Sequence, residues 1–457
     1  MKKIRVFFAC LLCRLSIWAL RLTGRGGTAI PGKVAIRICP DILGDLAKDV
    51  RCVAVTGTNG KTTSARMIEE AFRLDGRSYF SNRSGANLIN GVTSLFIENA
   101  TLTGRPKKQF AIVECDEAAS KEVCRLIDPE VVLVTNVFRD QLDRYGEVTH
   151  TLNNILTGVR NSPHAALCLN ADCSLTASIA EQVPNEVLFY GVSTPIYKDP
   201  IEEVSDAPHC IKCKHEYEYT YHTFGHLGGF HCPNCGYTRP APQISVTEIL
   251  RSDVASTTVR MDFLGEREEV TINLPGGYNI YNAVGALAVS EAMGVDRATA
   301  KAAIGGFSCA FGRMERFDLG GHTARMILVK NPAGCNQVLN YLSGLTEKAV
   351  FVCCLNDNSA DGKDVSWVWD VNFEKLADMS ERIPEIFVSG IRAYDMATRL
   401  KYANIPEEKL KVFEDYDALI AAMQAQELPI VIMPTYTAMM DLRAKMSARF
   451  GGKEFWE

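Results

Sequence analysis

Residues 53 to 63 read Val-Ala-Val-Thr-Gly-Thr-Asn-Gly-Lys-Thr-Thr, a β-branched run that breaks at glycine and restarts as a helix. A strand that turns through glycines into a helix leaves backbone N–H groups and a helix N-terminus facing outward, where an anion is held. Gly57 and Gly60 permit close approach and unusual dihedrals, while Thr58 and Asn59 lie between them. Lys61 reaches the β- and γ-phosphates of a nucleotide, the Thr62 hydroxyl can ligate Mg²⁺, and Thr63 continues the helix start. The spacing departs from G-x-x-x-x-G-K-[ST], because Val55 occupies the position of the first glycine. An ordinary strand–turn–helix connection is the competing explanation. Gly-Lys-Thr-Thr directly after a β-branched strand weighs against it. ATP is therefore the expected ligand.

The rest of the chain supplies the matching scaffold. Strands are expected at 52–56, 109–113, 131–135 and 166–169, with helices between them, one of them from Lys61 towards Leu74. That alternation implies a parallel, doubly wound α/β sheet with its ligand at the carboxyl ends of the strands. Residues 205–242 interrupt the rhythm, and the α/β pattern resumes near Val246. A last section again alternates strands, at 349–355, 385–389 and 429–433, with helices. At 457 residues the chain exceeds one hydrophobic core. The predicted division is 1–48 as an N-terminal helix and lead-in, 49–317 as the ATP-binding domain, and 318–457 as a C-terminal Rossmann-like α/β domain.

A net charge of −5 argues against a general nucleic-acid binder, which needs a basic surplus or stripe. The basic Met1–Arg5 and the apolar stretch to Leu20 resemble a signal peptide. Arg14 splits the run, however, and no small-residue cleavage site follows. The run is also too short to span a bilayer. It is expected to be an amphipathic helix packed on the first domain, with peripheral membrane contact as the alternative.

Sixteen cysteines are present. Most sit in apolar runs, such as Cys353 and Cys354, and behave as small buried hydrophobes in a reducing, cytoplasmic setting. Four are different. Cys210 and Cys213, then Cys232 and Cys235, form two C-x-x-C knuckles eighteen residues apart, the spacing of a tetrahedral Zn²⁺ site. Gly236 follows the second knuckle, where its turn favours glycine. The neighbouring His209, His215, His222, His226 and His231 are expected on the surface. A structural zinc ribbon is the expectation.

These residues resemble a known set. Gly-Thr-Asn-Gly-Lys-Thr-Thr is similar to the ATP loop of the Mur ligases and of folylpolyglutamate synthase. Glu114 matches the strand-end acid that holds Mg²⁺ there, with Thr62. Thr135-Asn136 and Asp140-Gln141-Leu142-Asp143 resemble a Thr-Asn…Asp-His-Leu-Asp segment, with Gln141 in place of histidine. Asn279 and Asn282, in Gly277-Tyr-Asn-Ile-Tyr-Asn-Ala, resemble a motif near the adenine. Arg313, in Gly312-Arg-Met-Glu, matches the arginine that approaches the γ-phosphate. The implied fold is a Mur ligase-type P-loop ATPase domain with an inserted four-cysteine zinc ribbon, followed by a C-terminal α/β domain. Phosphoryl transfer to a carboxylate needs charge neutralisation, supplied by Lys61, Arg313 and Mg²⁺.

The last section departs from the common pattern. Where Mur ligases open with Asp-Tyr-Ala-His-Asn-Pro, this chain has Ile327-Leu-Val-Lys330-Asn331-Pro332-Ala-Gly. Leu355-Asn-Asp357-Asn-Ser-Ala-Asp361-Gly-Lys-Asp364-Val-Ser-Trp367 follows a strand and concentrates three acids. Composition alone allows a solvated loop with Asx turns. Together with the ribbon, these runs resemble the lipid II isoglutaminyl synthase branch of the Mur ligase family. The likeness extends from Gly24-Arg-Gly-Gly-Thr28 to Pro434-Thr-Tyr-Thr-Ala438. It implies a heterodimer with a GatD-type class I glutaminase that supplies ammonia. It also implies a lipid-linked muropeptide such as lipid II as substrate, at the inner face of the membrane, and amidation of a D-glutamyl α-carboxyl. By position Asp364 is the carboxylate that orients the partner's catalytic histidine. A stand-alone ligase adding a whole amino acid is the second reading, and a zinc-ribbon nucleic-acid protein the third. The altered Lys-Asn-Pro segment opposes the former and the acidic balance opposes the latter.

Overall fold

The structure is a computed structural model that describes residues 2–22, 29–82, 86–140, 148–197, 205–253, 255–307, 313–344 and 346–451. Gly24–Thr28, Gln141, Leu142, Asp143 and Gly312 lie outside the described residues, as does the side chain of Arg313. Two sheets organise the chain. The first comprises β1 (Arg51–Thr56), β2 (Tyr79–Ser81), β3 (Phe110–Glu114), β4 (Val131–Val134), β5 (Ala166–Asn170) and β6 (Val187–Val192). The hairpin β7 (Glu218–Phe224) and β8 (Leu227–His231) follows and stands apart. β9 (Ile244–Ser252), β10 (Thr257–Phe263) and β11 (Glu266–Ile272) then complete the first sheet, in the order β11-β10-β9-β6-β5-β4-β1-β3-β2.

β1, β3 and β4 are buried along almost their whole length. Central parallel strands are covered on both faces, so their sequences are continuous apolar runs rather than alternating ones. Lys61–Leu74 packs with Gly277–Ala292 and Arg297–Gly306, and Glu117–Ile127 packs with Val148–Arg160. β1 lies between β3 and β4, its parallel neighbours. Ligands collect at such a switch in strand order.

One expectation fails at the far edge. β9, β10 and β11 run antiparallel to one another, so the sheet is mixed. The connection between β10 and β11 is two residues, Leu264 (φ +54°) and Gly265 (φ +88°). A two-residue turn with both φ positive matches the twist of a hairpin, whereas a parallel pair needs a crossover of about a dozen residues.

The second sheet has β12 (Arg313–Asp318), β13 (Thr323–Ile327), β14 (Val350–Cys354), β15 (Ile386–Ser389), β16 (Leu410–Phe413) and β17 (Ile430–Pro434), in the order β12-β13-β17-β14-β15-β16. All pairs but β12–β13 are parallel, and each face has its own apolar core. Cys353 and Cys354 are buried thiols on β14, as their apolar surroundings indicated.

The helix Lys2–Leu22 packs on Ala29–Ile38 and Ile89–Glu98, so one of its faces lies against the first domain. No helix among the described residues is long and apolar enough to cross a membrane.

The Cys-rich insertion has a small core of Tyr217, Phe230 and Tyr237. It is tied to the first sheet by Asp172, which is fully buried after β5. Asp172 accepts from Arg239 Nε (2.6 Å), Val192 N–H (2.7 Å) and Tyr281 OH (2.6 Å). Burial pushes the Asp172 carboxyl up, against the pull of Arg239 and these donors. Arg239→Ala leaves that acid buried without its counter-ion. We expect a loss of about 3–5 kcal/mol, read as a lower urea midpoint with unchanged slope. A wild-type midpoint would show that Tyr281 and Val192 suffice to hold Asp172.

Candidate active site

β1 ends at Thr56 and the next helix begins at Lys61, so residues 57–60 form the loop between them. Gly57 (φ +117°) and Gly60 (φ +87°) both adopt left-handed backbone. A Cβ at Gly57 would collide with Thr135 Oγ1 and the Asn136 carbonyl, and one at Gly60 with Asn282 Oδ1. Glycine is thus required twice over, by dihedral and by space.

The segment after β4 laces onto this loop. Thr58 N–H donates to Asn136 O (2.9 Å). Asn136 Oδ1 accepts from Asn59 N–H (2.9 Å) while its Nδ2 donates to Asn59 O (3.0 Å). Thr58 Oγ1 donates to Phe138 O (3.2 Å) and accepts from Phe138 N–H (3.0 Å). These hydrogen bonds hold the loop from within the chain.

Lys61 is buried, and its Nζ donates to Gly57 O (2.5 Å) and Glu117 Oε1 (3.1 Å). Burial opposes the ammonium's charge. The carboxylates of Glu117, Glu114, Asp116 and Asp140 outweigh it and hold the pKa above the ordinary lysine value. Lys61 is accordingly a cation at neutral pH, as phosphate binding requires. Glu117 escaped the sequence reading, although it stands only three residues past Glu114 at the start of a helix.

Glu114 closes β3 with its backbone bracketed by the Asn82 side chain, at 2.9 and 2.7 Å. Thr62 is half-buried one residue beyond Lys61. Asp140 pairs through Oδ2 with Lys330 Nζ (2.6 Å), and its buried Oδ1 has no hydrogen-bond partner among the described residues. The Thr62 hydroxyl and the Glu114 carboxylate are hard oxygen donors of the type suited to Mg²⁺.

Asn282 lies against Gly60, and its Nδ2 donates to Asn279 Oδ1 (3.0 Å). Asn279 in turn donates to Pro275 O (2.7 Å). Arg313 opens β12 opposite Ile327.

The second sheet reaches the loop directly. Asn331 caps the helix Pro332–Ser343 through Gly334 N–H (2.8 Å) and donates to Asn59 Oδ1 (3.0 Å). The Lys-Asn-Pro run that departs from the Mur pattern is thus one bridge between the two sheets, beside Arg139–Asp370 and Tyr197–Gln337. Burial pushes the Tyr436 phenol up, with Asp361 and Glu114 adding to it, so both acids act on one residue.

The three acids after β14 separate by environment. Asp361 accepts Thr437 N–H (2.8 Å) and Oγ1 (2.5 Å), and Asp357 pairs with Arg392 (3.2 Å). Asp364 is exposed, its Oδ1 accepting from Ser366 N–H (2.8 Å). Hydrogen bonds from the Ser366 side chain and backbone hold its carboxyl below the usual range.

In the insertion the four sulfurs of Cys210, Cys213, Cys232 and Cys235 lie within 4.8 Å of one another, with Cys210–Cys235 at 3.5 Å and Cys213–Cys232 at 3.4 Å. Tetrahedral Zn–S bonds of ~2.3 Å place sulfurs ~3.8 Å apart, so the cluster is compatible with a zinc site. The knuckles repeat each other. Lys214 (φ +65°) and Gly236 (φ +75°) occupy equivalent turn positions and donate back to Cys210 O and Cys232 O. Lysine in the first knuckle hid that symmetry from the sequence.

His226 contradicts the expectation of a surface histidine. It is fully buried, Nε2 lying 3.4 Å from Cys173 Sγ and its ring 4.4 Å from that of Phe138. Burial would raise the Cys173 thiol, but the neighbouring His226 overcomes it and draws the pKa down. The other four stay exposed or half-exposed. His226 turns inward because the β7–β8 tip packs on Phe138, the residue whose backbone holds Thr58.

With this geometry in place, two families match the chain: the Mur ligase middle domain over residues 55–290 and the MurT ligase C-terminal domain over 328–439. The lipid II isoglutaminyl synthase (glutamine-hydrolysing) subunit MurT of Streptococcus pneumoniae is 34% identical over 440 residues, covering 95% of this chain and 96% of that one. The subunit of the same name from Staphylococcus aureus is 31% identical over 449 residues, 98% of this chain and 99% of that one. Among solved structures, a pseudomurein peptide ligase type C from Methanothermus fervidus superposes with a TM-score of 0.66 at 19% identity, covering 90% of this chain and 80% of that one.

Gly60→Ala tests the loop. The added Cβ meets Asn282 in a left-handed position that disfavours alanine by about 1–2 kcal/mol. We expect a modest drop in melting temperature and loss of measurable ATP binding by calorimetry. Wild-type ATP affinity would show that the loop does not hold the phosphates.

Proposed function

The chain belongs to the Mur ligase family, in its MurT branch, and from that premise we propose that it amidates the α-carboxyl of D-glutamate in the stem peptide of lipid II. ATP activates the carboxylate as an acyl phosphate, and ammonia released from glutamine by a GatD-type class I glutaminase subunit then forms the D-isoglutamine amide. The observation that carries this reading is the direct contact of Lys330 and Asn331 with Asp140 and Asn59 of the ATP site. The segment that separates this branch from amino-acid-adding Mur ligases thereby bears on the reacting centre.

Residues 57–63 cradle the phosphates, with Lys61 as the buried, charged contact and Asn279, Asn282 and Arg313 completing the nucleotide site. Thr62 and Glu114 hold Mg²⁺, which when bound neutralises phosphate charge during transfer. The domain division at 49–317 and 318–457 belongs to the same reading, the ATP loop in the first and Asp364 in the second. Asp364 orients the partner's histidine, and its exposure supports this, since Asp357 and Asp361 are engaged within the chain. The four cysteines bind a structural Zn²⁺.

The deciding assay supplies ATP, Mg²⁺ and lipid II with either ammonium, or glutamine plus the partner. Amidation with ammonium alone, but not with glutamine alone, is expected. Incorporation of an intact amino acid instead would overturn the reading. Asp364→Asn should lower the glutamine-driven rate of the complex on the order of 10²-fold or more while ammonium-driven amidation and ATP binding persist. Equal loss on both nitrogen sources would remove Asp364 from the glutaminase. Cys210→Ser should release the metal and lower the melting temperature by about 5 °C or more. Unchanged melting with zinc lost would show that the ribbon is no staple.

A further inference from the structure

Charge is unevenly distributed along this chain. Residues 1–40 hold eight lysines and arginines and no aspartate or glutamate, a formal +8 against a whole-chain −5, which leaves −13 for the remainder. The cationic end is also where apolar side chains face outward. On the helix Lys2–Leu22, Ala9, Cys10, Cys13 and Ile17 are buried, and Arg14 donates to the carbonyls of Ile97 and Ala100. The opposite face presents Ile4, Phe7, Phe8, Leu12, Leu15 and Trp18, all exposed, with Ile4 and Trp18 each above 60%. A helix covering a soluble domain turns its charges to water and one apolar stripe to the core. Here both faces are apolar.

The spacing from Ile4 through Phe8, Leu12 and Leu15 to Trp18 keeps these side chains on one stripe about 20 Å long at 1.5 Å per residue. The helix Ala29–Ile38, packed against it, carries a further exposed apolar side chain, Ile30, at 62%. Lys3, Arg5, Lys33 and Arg37 are exposed around it. Contiguous exposed apolar surface of this kind marks an interaction site. Its charge selects the occupant, because two copies of a cationic face repel each other, whereas an anionic bilayer attracts it and takes up the apolar stripe. Lys2 is paired with Asp45 (2.9 Å), so Lys3, Arg5, Lys33 and Arg37 carry the cationic character of this face.

We propose that the outer face of the helix Lys2–Leu22, with Ile30 and the surrounding lysines and arginines, docks this protein flat on an anionic lipid bilayer. The helix cannot span, because its inner face is buried on the protein. The proposal rests on the lipid II reading only in that docking brings the ATP site to the surface where a lipid-linked substrate resides.

The test uses the full chain and sedimentation with vesicles of phosphatidylglycerol and phosphatidylcholine that contain no lipid-linked peptide. Its outcome is thus independent of whether the proposed amidation is correct. Binding is expected at ~0.1 M salt, weakening on the order of 10-fold with phosphatidylcholine alone or at ~0.5 M salt. The exposed pair L12S/W18S, and separately K3E/R5E, should each lower binding on the order of 10-fold with unchanged melting and unchanged amidation of a soluble muropeptide. No binding of the wild type, or equal binding by the variants, overturns the proposal. So does a concentration-dependent dimer that these substitutions abolish without any vesicle binding.

Discussion

A buried ammonium governs this molecule. Lys61 is buried just past the end of β1, and the four acids Glu117, Glu114, Asp116 and Asp140 keep it ionised. They come from the ends of β3 and β4 and from the helix after β3, so the charge balance requires those strands to lie beside β1 in register. Gly57 contributes its carbonyl to the same ammonium and can do so only with positive φ and no side chain. A phosphate entering the loop would meet a cation already held in place, which is the preorganisation that phosphoryl transfer uses.

Other parts of the chain reach this arrangement at Asn59, Thr58, Gly60 and Asp140. The second sheet arrives through Asn331 and Lys330, and the cysteine module through Phe138, which His226 and Phe224 press from behind. A hydrogen bond of about 3 Å is short-ranged, so a small displacement of either unit would alter the loop. The loop at residues 57–60 is therefore held by contacts from several parts of the chain.

Burial also sorts groups that look alike in one dimension. Asp357, Asp361 and Asp364 are equivalent on paper, yet two are engaged by Arg392 and Thr437 and one faces solvent. Five histidines crowd the insertion, and only His226 points inward. The first helix shows the same principle in reverse, for its two apolar faces differ only in whether protein lies against them.

The sequence by itself determined the local elements on either side of the loop. A β-branched run, two glycines and Gly-Lys-Thr-Thr dictate strand, turn and helix, and the helix spans Lys61–Leu74 as expected. Paired knuckles at eighteen residues likewise bring four sulfurs together. Local chemistry is readable because glycine dihedrals and thiol spacing act over a few residues. Tertiary structure decided what depends on distant neighbours. Glu117 as the partner of Lys61, Asn136 as the clasp of the loop, His226 in the interior and the antiparallel β9–β11 edge come from contacts between separated segments, or from a short turn at Leu264-Gly265 that composition did not flag. The three acids after β14 likewise differ only through their folded surroundings, which engage Asp357 and Asp361 and leave Asp364 exposed.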